Sequence, residues 1–105
     1  MSSIREDTLY DIFRITNLPI FYGSAEPGTA LPYLVYVGEG QETFKADNTF
    51  YFKQDSFRLE YYYTEKNVLM ENEIETALLD SGYLYEKSED IYIEDERVFA
   101  IYYYV

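Results

Sequence analysis

A chain of 105 residues has material for one hydrophobic core, burying roughly two-thirds of the surface its unfolded form exposes. Hydrophobic residues make up 48% and aromatics 20%, which separates the chain from disordered acidic segments, while a net charge of -12 disfavours a DNA duplex or an anionic membrane as partner. The absence of cysteine and histidine excludes disulfide scaffolds, thiolate nucleophiles and the commonest metal ligand and general base.

Met1 to Asp7 carries neither a basic nor an apolar signal region, and no run approaches the roughly 20 apolar residues of a membrane span, so the chain is expected to stay in the cytoplasm where it is made. Ser3 followed by Glu6 fits a capping box, and Leu9, Ile12 and Phe13 share a helical face, which predicts a first helix from about 3 to 16. Asn17-Leu18-Pro19 ends it, because the residue before proline is pushed out of the α region. Ile20-Phe21-Tyr22 is then a short strand, residues 23 to 31 are a surface loop, and residues 32 to 37 are a strand.

Residues 39 to 47 are polar and are expected to contain the next exposed loop. Residues 48 to 53 and 57 to 64 read as two antiparallel strands joined tightly by Gln54-Asp55-Ser56. Asn67 is placed to cap a second helix over 68 to 80, with Met70, Ile74, Ala77 and Leu78 on one face and Gly82 just past its end. Residues 83 to 93 and 97 to 105 close the chain as a hairpin turning at Glu94-Asp95-Glu96. The order predicts one α+β domain over 1–105, with two helices packed on a mostly antiparallel sheet of five to six strands.

The last strand does not alternate as a half-buried strand should. Val98, Ala100, Tyr102 and Tyr104 fall on one face and Phe99, Ile101, Tyr103 and Val105 on the other, so both faces are apolar or aromatic. Tyrosines can lie on a solvated sheet with their hydroxyls in water. The other reading is that the second face, or an edge strand, docks to another subunit, with the triplets Tyr61 to Tyr63 and Tyr102 to Tyr104 as the first places to look.

Chemistry is sparse. The carboxylates Glu89, Asp90, Glu94, Asp95 and Glu96 lack the glycine-containing calcium-loop spacing and read as a solvated acidic loop, not a metal site. Gly38-Glu39-Gly40 is half of a dinucleotide fingerprint, with its third glycine missing and glutamates that would repel a pyrophosphate. No catalytic residue, metal site or cofactor is assigned, and an enzyme is not expected.

The chain as a whole resembles the small tail-terminator or tail-completion (head-tail joining) proteins of long-tailed phages and prophages of Gram-positive bacteria. The matching stretches are the opening helix with Leu18-Pro19-Ile20-Phe21-Tyr22-Gly23, the segment Leu31 to Tyr36, the strand Phe57 to Thr64, and the closing portion from Gly82 to Tyr102. The resemblance implies a structural protein of the virion tail, assembled in the host cytoplasm, that caps the tail tube and docks to the head. It implies a homo-oligomer, a hexameric ring in the assembled tail, with tail-tube and head-completion proteins as partners and with neither membrane nor sequence-specific nucleic acid. The self-association candidates are Asp47, Asn48, Phe50, Tyr51 and Phe52, on a short aromatic segment expected at a sheet edge, with Tyr102 and Tyr104. Two other readings stay open: an acidic DNA mimic using Glu86 to Glu96, and a generic bacterial interaction module.

Overall fold

A computed structural model describes the backbone of residues 6–46 and 50–105 and the side chains of 8–38 and 57–105. Helix α1 (Glu6–Thr16) and strand β1 (Ile20–Tyr22) come first, followed by two long strands, β2 (Tyr33–Ala46) and β3 (Phe50–Tyr63). Helix α2 (Val68–Asp80) then precedes β4 (Glu86–Lys87), β5 (Ile91–Ile93) and β6 (Val98–Tyr104). The six strands form one sheet in the order β1-β2-β3-β6-β4, with β5 also paired to β6. All pairs are antiparallel except β1 with β2, so the α+β expectation holds with one parallel pair added.

Each helix forms where the sequence supplies both a face and an end. In α2, Ile74, Ala77 and Leu78 are buried and Met70 packs against them; the Asn67 Oδ1 accepts a bond from the Met70 amide at 3.1 Å. Gly82 lies beyond the C-cap residue Ser81 at φ +88, a left-handed conformation natural to glycine, and its amide donates to the Leu79 carbonyl at 3.0 Å. In α1 the buried face is Thr8, Ile12 and Thr16, spaced by four, with Leu9 half-buried. Phe13, expected on that face, is 46% exposed, because a stripe centred on Ile12 turns position 13 outward. The Thr16 hydroxyl donates to the Ile12 carbonyl at 2.7 Å and accepts the Leu18 amide at 3.2 Å, closing the helix end. The Ser3 cap lies outside the described residues.

Both helices cover one side of the sheet. Ile12, Leu18, Ile74, Ala77 and Leu78 meet Leu34, Leu59, Tyr61, Tyr63, Ile101 and Tyr103 in a single cluster. Cross-strand register puts Leu59 opposite Tyr103 and Tyr61 opposite both Ile101 and Leu34, so alternate residues of three strands converge on the helices.

The middle of the chain differs from the sequence reading. Residues 39 to 46 are strand, not loop, and Gln54-Asp55-Ser56 lies inside β3, not in a turn. None of those three residues fixes a backbone reversal as glycine or proline would, and the continuous β2–β3 ladder holds both segments extended, absorbing Gly38 and Gly40 at a register shift. The 83–93 strand is instead two short ones, β4 and β5, separated by residues 88–90.

Candidate assembly surfaces

The β2–β3 hairpin outruns the sheet it belongs to. Strand β1 pairs only with residues 34–36 of β2, and β6 only with residues 58–63 of β3. From Gly40 opposite Ser56 to Ala46 opposite Phe50 the two strands pair only with each other among the described residues. At the usual rise per residue this arm is roughly 20 Å long. It accounts for extents of 50 × 29 × 24 Å and a radius of gyration of 15.1 Å, above the roughly 13 Å of a compact chain of this size. The ladder sets Phe44 opposite Phe52 and Ala46 opposite Phe50, while Lys45 faces Tyr51 and Thr43 faces Lys53 in the alternate pairs. Phe50, Tyr51 and Phe52 therefore lie at the distal end of the arm, on a strand whose outer edge no described residue covers. Asp47 and Asn48 lie outside the described residues.

The second surface is the side of the sheet opposite the helices. Here Arg58, Glu60 and Tyr62 of β3 stand across from Tyr104, Tyr102 and Ala100 of β6. Glu60 is only 6% exposed although it is charged, and its two oxygens are both used: Arg58 Nε donates to one at 2.7 Å and the Tyr62 hydroxyl to the other at 2.6 Å. Burial and the Glu60 carboxylate together push the Tyr62 phenol far above its ordinary value. The Arg58 guanidinium sits 5.3 Å from the Tyr102 ring centroid, and Tyr33 lies against Tyr62 at 5.2 Å. Tyr102 is half-buried and Tyr104 is 43% exposed. Val98 and Ala100, at the far end of this face, are buried; the loop of residues 25–29 approaches there, sharing a depression of about 250 Å³ with Tyr33, Glu96 and Val98. The two tyrosine triplets are thus divided: Tyr61, Tyr63 and Tyr103 belong to the core, Tyr62, Tyr102 and Tyr104 to this face.

The third feature is the strap of residues 83–97, which runs along the outer edge of β6. Glu86 and Lys87 pair with Tyr104 and Tyr103, and Ile91 to Ile93 pair with Ala100 to Val98. Between them Ser88 bridges the gap, its amide donating to the Tyr102 carbonyl and its hydroxyl accepting the Tyr102 amide, both at 2.9 Å. Lys87 Nζ reaches across to α2, 2.9 Å from Glu71 and 2.7 Å from Glu75. Lys66 joins Glu71 at 2.8 Å to Asp90 at 3.0 Å. The Tyr103 and Tyr85 hydroxyls donate to Glu75 at 2.8 and 3.2 Å.

Burial drives the Glu75 carboxyl upward, but Lys87, Tyr103 and Tyr85 outweigh it and hold it below its ordinary value. The Tyr63 hydroxyl and Lys66 hold Asp90 down against a smaller effect of burial. Glu71, 1% exposed inside an otherwise apolar helix face, was not foreseen; its spacing, on the Ile74–Leu78 stripe three residues before Ile74, was the available signal. The acidic stretch Glu86 to Glu96 is therefore not a uniform anionic surface, since Lys87 stands in it and Asp90 is paired.

Among the described residues no helix is long and apolar enough to cross a membrane, and no group of three carboxylates converges to hold a metal ion. No family model matches the chain, and no curated protein matches it in sequence.

Proposed function

We propose that this chain is a structural phage protein that caps the tail tube and joins tail to head, working as a ring of identical subunits by docking and not by catalysis. The observation that carries the self-assembly is the β2–β3 arm. A lone two-stranded hairpin is marginal in water, and each strand of the arm has one edge whose amides and carbonyls no described strand pairs. A neighbouring subunit supplies what the arm lacks. Because the arm and the surface it meets are different parts of the molecule, the contact is heterologous, and repeated head to tail it closes into a ring. The aromatic face around Tyr102 and Tyr104 adds a second docking surface, facing tail-tube or head-completion proteins. The virion tail, assembled in the host cytoplasm, is the corresponding location.

The mass of the purified protein, measured by light scattering after size exclusion over a wide concentration range and followed by negative-stain imaging, tests this. A ring-sized species, or one that grows in with concentration and stops tail-tube polymerisation when added to tube subunits, is the expected result. A strict monomer that leaves tube growth unaffected and competes with DNA for a basic protein overturns it in favour of an acidic mimic.

A further inference from the structure

We propose that the strap of residues 83–97 is a detachable cover over the outer edge of β6, and that the edge it uncovers receives an arm strand from a second copy of this chain. The second half of this inference rests on the ring reading above; the first does not.

The strap differs from the rest of the sheet in what holds it. From Leu79 to Arg97 no side chain is buried, whereas β6, beside it, buries Val98, Ala100, Ile101 and Tyr103. Leu84 is 84% exposed and Tyr92 52%. Its strands are two and three residues long. Tyr83 and Tyr85 at its start pack against the edge of the helix-side cluster and Tyr92 lies on Phe99, but beyond Tyr85 the strap is fastened mainly by the short ladder and charged contacts: Lys87 on Glu71 and Glu75, and Asp90 on Lys66, with the Tyr85 hydroxyl on Glu75. A segment with few buried apolar contacts opens at lower free energy than the core it lies on. Opening residues 86–97 leaves the β3–β6 pairing and the helix-side cluster intact, because the strap residues that pack on the cluster, Tyr83 and Tyr85, lie before that segment. What it exposes is the seven-residue edge of Val98–Tyr104, with its backbone groups unpaired.

That edge and the arm suit each other. The arm strands have uncovered edges of comparable length, and the arm extends beyond the sheet, where no described strand of its own chain reaches it. Strand addition between copies pairs both sets of backbone groups at once. The strap then acts as a guard that keeps β6 closed in the single subunit and limits uncontrolled edge pairing.

Hydrogen exchange read by mass spectrometry on the full chain, wild type and Lys87→Met, tests the cover. In the variant the amides of 86–93 should exchange about tenfold faster, the size expected for losing charge-assisted contacts, with those of β3 and α2 unchanged. Raising salt from about 0.1 M to about 1 M, where the Debye length falls from about 10 Å to about 3 Å, should speed wild-type strap exchange in the same direction. Asp90→Asn gives a second, milder opening if Lys87→Met lowers global stability. Strap amides that exchange only together with β3 and β6 overturn the cover outright. In assembled particles Val98–Tyr104 should remain protected while the strap exchanges faster than in the single subunit. Particles whose strap is as protected as in the monomer overturn the strand-addition role alone, and a wild type that never assembles reports failure of the ring reading instead, through its mass.

Discussion

Two buried glutamates show how single side chains set this molecule's character. Charged residues default to the surface, so nothing in the sequence separates Glu60 from the other acidic residues, and Glu71 only by its place on the Ile74–Leu78 stripe; their burial follows from strand register and helix phase. Glu60 sits among β-branched and aromatic neighbours on the open face, with both oxygens satisfied by Arg58 and Tyr62. Replacing Tyr62 with phenylalanine keeps the ring against Tyr33 but leaves one Glu60 oxygen without its donor. The expected loss is about 1–3 kcal/mol in denaturant unfolding, the cost of an unsatisfied buried group. Tyr104→Phe, at a partly exposed ring, should change stability by less than about 0.5 kcal/mol. Equal effects at the two positions would show that Glu60 finds another donor.

The elements were legible in proportion to how local their causes are. Helix α2 could be read because Asn67, the 70/74/77/78 stripe and Gly82 all lie within its own sequence. The arm could not, because polar residues 39–46 and 54–56 become strand only by pairing with each other across the chain reversal. The expected aromatic segment is there, yet it belongs to a strand of 14 residues, and its neighbour is the stretch taken for loop. That placement sharpens what Phe50 and Phe52 should do. Their backbone positions lie in the arm, beyond the residues of β3 that pair with β6. Replacing both with serine should leave the thermal unfolding midpoint within about 2 °C of wild type, since this part of the ladder lies beyond the strands that pair with β6, while shifting self-association to much higher concentration in light scattering. Loss of the folded monomer would mean that the arm is part of the core after all.

At the scale of the whole molecule, stability is set by ionisations on both sides of neutrality, and the signs differ. Glu75 and Asp90 titrate below their ordinary values of 4.5 and 3.8 in the folded chain. Their contribution is therefore complete above the unfolded values and is lost as pH falls through the folded ones, loosening the Lys87–Glu75 and Lys66–Asp90 pairs that fasten the strap. The tyrosines act oppositely. Burial and neighbouring carboxylates push Tyr61 up to about 12, and Tyr62, Tyr63 and Tyr103 higher than that, from an ordinary value of 10.0. Their neutral forms favour the fold fully below pH 10, and that stabilisation drains away as pH rises and the unfolded chain binds fewer protons. Lys66 and Lys87, both raised, lose theirs in the same direction. Unfolding free energy against pH should be a plateau bounded near pH 4.5 and pH 10, with the acid edge opening the strap before the core. On the alkaline side the buried phenols cannot ionise one by one while the sheet stands. Phenolate absorbance from Tyr61, Tyr62, Tyr63 and Tyr103 should rise in a cooperative step that coincides with loss of the folded circular dichroism signal. Ionisation of Tyr61, Tyr63 and Tyr103 near pH 10, with the fold still present, would show that the helix-side ring cluster is open to water.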